Sequence, residues 1–123
     1  MFGHERRSSQ RIRAYRPVRL QKVNPTKVVE TLTKDLSVGG LRCVSPTVFA
    51  VSADVHVDLT LSMGSEPITV SGRAAWFRTI AHSDQFELGI AFQSLSPETK
   101  RRLSAYLELL SEKTSEVPAG SIA

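Results

Sequence analysis

Arg7 and Arg11 stand four residues apart in a stretch that also holds Arg6, and Asp35 and Ser37 stand two apart just ahead of Gly39-Gly40. These residue types suit recognition better than bond making. A guanidinium is planar, permanently charged and able to give two parallel hydrogen bonds. It can clamp a phosphate, grip the O6/N7 edge of guanine, or stack on a base. Each charge-assisted bond is worth roughly 1.5–3 kcal/mol net, so two arginines need a preformed site beside them to bind well. An aspartate at the end of a strand can accept from the N1–H and N2 amine of guanine, and a serine two residues on shares its side of the strand. Gly39 and Gly40 permit positive φ and close approach of a ligand to the backbone. Both halves also have plainer readings. Arg-x-x-x-Arg occurs in any arginine-rich tail, and Asp-x-Ser-x-x-Gly also describes a turn between two strands.

The inventory for catalysis is thin. His4, His56 and His82 lie far apart and share no metal-ligand spacing. Cys43 falls on an expected strand and reads as a small core residue. Ser37 follows an acid but has no nucleophile-elbow pattern. Asp54 and Asp58 alternate outward beside Thr60 and Ser62, as a solvated strand face does. The expectation is therefore no enzyme, no metal and no resident cofactor.

Charge distribution places the interest at the N-terminus. The first 22 residues hold seven of the 16 Lys and Arg and a single acid, Glu5, although the whole chain is only +4. A basic arm on a slightly acidic body suggests nucleic acid, a nucleotide or an acidic surface as partner. At 123 residues, 41% hydrophobic and 23% charged, the chain has the length and composition of one globular domain. No apolar run reaches the ~18 residues of a membrane helix. No apolar segment follows Met1–Arg7, so no signal peptide is expected. One cysteine rules out an internal disulfide, which fits the cytoplasmic location expected here.

Behind an arm at residues 1–12, a run of strand-like segments has to position these groups. Arg13–Lys22 is extended, with Pro17 suggesting an edge or bulge. Lys27–Lys34 is rich in Val and Thr, but its two faces do not separate cleanly. Leu41–Ser45 is short. Asp54–Ser62 alternates, with Val55, Val57, Leu59 and Leu61 on one face. Ile68, Val70, Gly72, Ala74 and Trp76 line one face of the next strand, and Phe86, Leu88, Ile90 and Phe92 point inward on the last, with Glu87 outward. Six strands on short connections make a closed antiparallel barrel, which removes exposed edges. Ser96-Pro97-Glu98 starts a helix whose stripe is Thr99, Leu103, Tyr106, Leu107 and Leu110. The barrel and helix fill residues 13–112, and residues 113–123, without periodicity, read as a disordered tail.

Taken together, Arg-x-x-x-Arg, a strand, and Asp-x-Ser-x-x-Gly opening another strand resemble the PilZ domain family. Gly72-Arg73-Ala74-Ala75-Trp76 and Glu87-Leu88-Gly89-Ile90-Ala91-Phe92 are similar to its later strands, so the likeness spans about residues 5–110. The resemblance implies a mainly β fold, a six-stranded PilZ barrel with a C-terminal helix, and a bacterial receptor for cyclic di-GMP. It implies that Arg7 and Arg11 hold phosphates and guanine edges, with Arg6 as an extra contact. Asp35 and Ser37 would read guanine, and Gly39 and Gly40 would shape the turn. The implied mechanism is an arm that docks on the barrel when ligand neutralises it, and presents a new surface to a separate protein partner. Trp76 is expected in the core by its alternation, with ring contact to a stacked guanine as the alternative. Arg13 and Arg42 read as solvating strands. The rival classes are a nucleic-acid-binding barrel, against which stands the absence of evenly spaced exposed aromatics, and a ligand-independent protein-interaction module.

Overall fold

Alternation in the strands decides the architecture. In β5 (Asp54–Leu59), Val55, Val57 and Leu59 are buried while Asp54 and His56 are exposed, as the period-two geometry of a strand requires. The structure, a computed structural model, describes the backbone of residues 11–122 and the side chains of residues 11–111. Six strands hide their apolar face by closing into an antiparallel barrel. Its ring runs β3 (Lys27–Ser37), β2 (Pro17–Lys22), β5, β6 (Ile68–Thr79), β7 (Phe86–Ser94), β4 (Gly40–Ser45) and back to β3. The interior holds Leu20, Leu36, Leu41, Cys43, Val57, Leu59, Ile68, Leu88 and Ile90, all at 2% exposure or less. Burial pushes the Cys43 thiol up to about 12, so it stays protonated and inert, a packing residue as its strand position indicates.

A seventh segment, β1 (Ile12–Arg13), lies along the same edge of β3 as β2 does, with Ile12 opposite Leu36 and Pro17 opposite Leu32. β1 and β2 are one ring position interrupted at Ala14–Arg16. Thr33 fills the interruption. It is fully buried, its Oγ1 donates to the Ala14 carbonyl at 2.6 Å and accepts from the Arg16 N–H at 2.9 Å. Arg11 and Ile12, read from sequence as the end of the arm, thus sit on the barrel wall.

The register slips at three places, and two of them bear on the outer wall: between Thr33 and Asp35 on β3, and between Ala74 and Trp76 on β6; the third falls between Ser71 and Gly72. An extra residue in one strand, here Lys34 and Ala75, exchanges the inward and outward faces beyond it. On β3 the buried apolar positions change from Val29 to Leu36, an odd-to-even switch. With Val28 and Leu32 exposed on the outer face, this explains why the two faces of that strand do not separate by sequence.

The helix α1 (Pro97–Ile122) starts where the cap signal places it, with the Thr99 N–H donating to Ser96 Oγ at 3.1 Å. Leu103 and Leu107 are buried, and Tyr106 and Leu110 pack against the core. Truncating Leu103 to Ala would cost ~2–5 kcal/mol. Its backbone continues to Ile122, whereas the sequence reading ends it near 112. Local propensity does not account for this extension, since Pro118 and Gly120 lie within it.

Candidate functional site

Asp35 lies just beyond the slip in β3, which turns it out of the barrel, opposite Arg42 of β4. The carboxylate is nonetheless buried, because arginines cover it. Arg42 Nε and Nη2 donate to Oδ2 at 2.9 and 2.8 Å, and Arg11 Nη1 donates to Oδ1 at 2.9 Å. Two strands further round, Glu87 of β7 stands directly opposite Arg78 of β6. Arg78 Nε and Nη2 donate to Glu87 Oε1 at 2.7 and 2.6 Å, while Arg42 Nη1 and Lys34 Nζ reach Oε2, both at 3.2 Å. Arg42 thereby joins the two carboxylates into one chain, Arg11–Asp35–Arg42–Glu87–Arg78. Burial alone would raise the Glu87 pKa. Hydrogen bonds from Lys34 and Arg78, and the charges of Arg42 and Arg78, outweigh burial and hold it below its ordinary 4.5.

Trp76 shares this face. Alternation through Ile68, Val70, Gly72 and Ala74 puts it in the core, and the structure corrects that expectation. The slip at Ala75 turns the indole to the outer wall, half-buried, opposite Gly89. A Cβ at Gly89 would run into the indole, so only glycine lets the ring lie flat against β7 there. The Arg78 guanidinium stands over that ring at 5.7 Å from its centre. Arg11, Asp35, Arg42, Trp76, Phe77 and Arg78 line an open hollow of about 430 Å³, within the ~300–1,000 Å³ range of small-molecule sites. Two slightly larger hollows, about 530 and 550 Å³, lie elsewhere on the barrel. Neither brings several cations to one aromatic ring, so the smaller hollow is the candidate site.

Ser37 is buried away from this hollow, and its Oγ accepts from the Gly39 N–H at 3.1 Å and lies 3.4 Å from the Gly40 carbonyl. Its hydroxyl therefore ties the β3–β4 hairpin. Neither Gly39 nor Gly40 has positive φ; Gly64, at 85°, does. Gly40 is required for another reason, since a Cβ would collide with the Ile90 carbonyl of β7. Its glycine serves strand packing, and Gly39 has ordinary room around it. Arg6 and Arg7 lie outside the described residues. Lys34, Arg78 and Glu87 had no role in the sequence reading, and Arg42 had only a solvating one. The signal that finds them is cross-strand register, because Arg78 and Glu87 are opposite partners across the β6–β7 hairpin. Among the described residues no group of His, Cys, Asp and Glu is placed to hold a metal ion, and no helix is long and apolar enough to cross a membrane.

The family model of the PilZ domain matches residues 5–109. The chain belongs to the PilZ domain family. Comparison with curated proteins finds no match. Among solved structures, YcgR from Escherichia coli in complex with c-di-GMP superposes with a TM-score of 0.75 at 18% identity, over 96% of this chain and 51% of that one. The isolated PilZ domain of the same protein, also with c-di-GMP, gives 0.69 at 18% identity over 93% of this chain and 98% of the domain. The inhibitor of motility MotI from Bacillus subtilis gives 0.71 at 16% identity over 90% of this chain and 52% of its own. This chain thus spans about half of YcgR and MotI and nearly all of a single PilZ domain. At these identities the likeness is one of fold.

Proposed function

We propose that this barrel is a bacterial, cytoplasmic receptor for cyclic di-GMP that binds without catalysing. The observation that carries the reading is the chain Arg11–Asp35–Arg42 beside the outward Trp76, in a hollow at the point where the arginine-rich N-terminal segment joins the barrel. The relatives solved with c-di-GMP share the fold that builds this wall. In this reading Arg7 and Arg11 bind phosphates and guanine edges, and Arg6 adds a contact. Trp76 stacks on a base. Asp35 Oδ1 exchanges its bond from Arg11 for the N1–H and N2 donors of guanine, while Arg42 keeps Oδ2 in place. Ser37, Gly39 and Gly40 act by holding the hairpin that presents Asp35.

Exchange of Arg11 from a carboxylate to a phosphate supplies the signal. Binding draws the part of the arm ahead of Arg11 onto the wall and alters the surface a separate protein partner meets. Calorimetry with cyclic di-GMP, cyclic di-AMP and a single-stranded oligonucleotide tests the reading. Expected is binding of the first, at least tenfold preference over the second, and little with the third. Binding only to the oligonucleotide would replace it with a nucleic-acid-binding barrel. Amide exchange across residues 5–10 should show protection gained with ligand; equal protection in both states means a preformed site without the docking step.

A further inference from the structure

Glu87 has no part in that binding scheme, yet it is the most costly group on this wall. Its side chain is 5% exposed, and a buried carboxylate is tolerated only when paired and hydrogen-bonded. Three strands supply its partners: Lys34 from β3, Arg42 from β4 and Arg78 from β6. These partners differ in what else holds them. Arg42 has a second anchor in Asp35. Arg78 is held, among the described residues, by Glu87 alone, through two bonds to the one oxygen Oε1. The Arg78 side chain is 65% exposed, lines the hollow and stands over Trp76. An arginine has five N–H donors in a fixed fork. Glu87 takes two of them and leaves three.

We propose that Arg78 is a direct contact for a phosphate of the bound cyclic dinucleotide, and that Glu87 is its positioning residue. This rests on the receptor reading and adds a cation source independent of the N-terminal segment. A long side chain loses rotamer freedom when it grips a ligand, and an arginine seated beforehand has already lost it. Glu87 seats Arg78 over the Trp76 ring, 5.7 Å from its centre, within reach of a phosphate joined to a base that packs beside the indole. The charge balance agrees. Arg11, Lys34, Arg42 and Arg78 against Asp35 and Glu87 leave the wall two charges positive, and a cyclic dinucleotide with two phosphodiesters is two charges negative.

The test is a double-mutant cycle on the full chain, with wild type, Arg78→Ala, Glu87→Gln and the double variant. Calorimetry with cyclic di-GMP gives affinity, and the emission of Trp76, the sole tryptophan, reports on the wall without ligand. Arg78→Ala should weaken binding about tenfold and lower the melting temperature without unfolding the barrel, because Glu87 loses both bonds to Oε1 and keeps Lys34 and Arg42 on Oε2. Glu87→Gln keeps the shape but puts an amide N–H₂ among cations, which releases Arg78; a several-fold loss is expected. The double variant should bind no more weakly than Arg78→Ala alone, and all three should share one shift in Trp76 emission. Arg78→Lys should fall between wild type and Ala, since it keeps the charge and loses the fork. Affinity unchanged in Arg78→Ala overturns the contact whatever Glu87 does, including where Glu87→Gln does not fold. A Glu87→Gln loss that persists in full on the Arg78→Ala background overturns the positioning role. Wild-type protein that binds no cyclic di-GMP brings down the receptor reading itself, an outcome visible before any variant is made.

Discussion

Two sets of ion pairs on this barrel use the same residue types and do different things. On the β2–β5 side, Arg19 lies 3.4 Å from Glu30 and 3.9 Å from Asp58, and on β5–β6 Arg73 lies 3.7 Å from Asp54. Glu30 and Asp54 are largely exposed. Exposed pairs of this kind contribute about 0–1 kcal/mol each and are screened by salt. On the β3–β4–β7–β6 wall the contacts run from 2.6 to 3.2 Å, and the carboxylates Asp35 and Glu87 are 11% and 5% exposed. A buried carboxylate deprived of its cations is left uncompensated, so it fixes them in a way an exposed one does not. One side of the barrel carries charges on its surface. The other is built around two carboxylates, and its arginines are held in place before any ligand arrives.

The sharpest way to test that contrast is Asp35→Ala. On the proposed reading two guanine donors lose their acceptor, at ~1.5–3 kcal/mol per charge-assisted bond, so affinity for cyclic di-GMP should fall at least about 100-fold. Preference over cyclic di-AMP should collapse with it, because the phosphate contacts survive. Calorimetry with both dinucleotides reads this out, and a preference retained at full strength leaves Asp35 as the anchor of Arg11 and Arg42 only. Arg11→Ala comes next. It removes one bond to Asp35 and leaves Arg42 in place, so more than tenfold loss of affinity is expected with little change in melting temperature. A barrel that unfolds instead would show that Arg11 is part of the wall's stability and not a group available for exchange.

Glu87 gives the contrast a pH signature. Its pKa is lowered in the fold relative to 4.5, so the unfolded chain takes up its proton at higher pH than the native one. The stabilisation it gives is complete above about pH 4.5 and is lost as pH falls through the lower, native value. Thermal melts of wild type should therefore drop steeply below that point, and melts of Glu87→Gln should drop less. Parallel curves would mean that Glu87 adds no pH-dependent stability to the fold.

How much of this the sequence shows depends on what each feature rests upon. The barrel is legible because burial writes itself as period two in Val55–Leu59 and Phe86–Phe92, and the helix because Ser96, Pro97 and a 3.6-residue stripe mark it. Asp35 and Arg11 can be singled out because the spacing within each motif is local, and the fold brings the two together as an ion pair. Trp76 is misread, since one extra residue at Ala75 reverses a face, and nothing in the Ala74-Ala75 dipeptide announces it. The missed group, Lys34, Arg42, Arg78 and Glu87, is scattered over 54 positions and meets only once register is known. Glu87 also reads wrongly by type. A glutamate on the outer face is ordinarily solvated, and here the cations it attracts bury it.

The smallest expected effect tests the other half of the contrast. Arg19→Ala removes the cation shared by Glu30 and Asp58 on the β2–β5 side. Both contacts are long and the arginine side chain is 42% exposed, so stability should change by no more than about 0.5 kcal/mol. Affinity for cyclic di-GMP should stay within twofold of wild type at physiological salt. The substitution does lower the net charge from +4, and a ligand drawn by overall charge would notice. Screening over ~8 Å confines such attraction at physiological ionic strength, so a cation on another wall contributes little to a seated anion. Repeating the titration at several salt concentrations separates the two cases. Wild type and Arg19→Ala should share one salt dependence, whereas Arg11→Ala should show a shallower one. If Arg19→Ala weakens binding as much as Arg11→Ala does, the ligand responds to the basic surface as a whole, and the two sides of the barrel differ in burial but not in function.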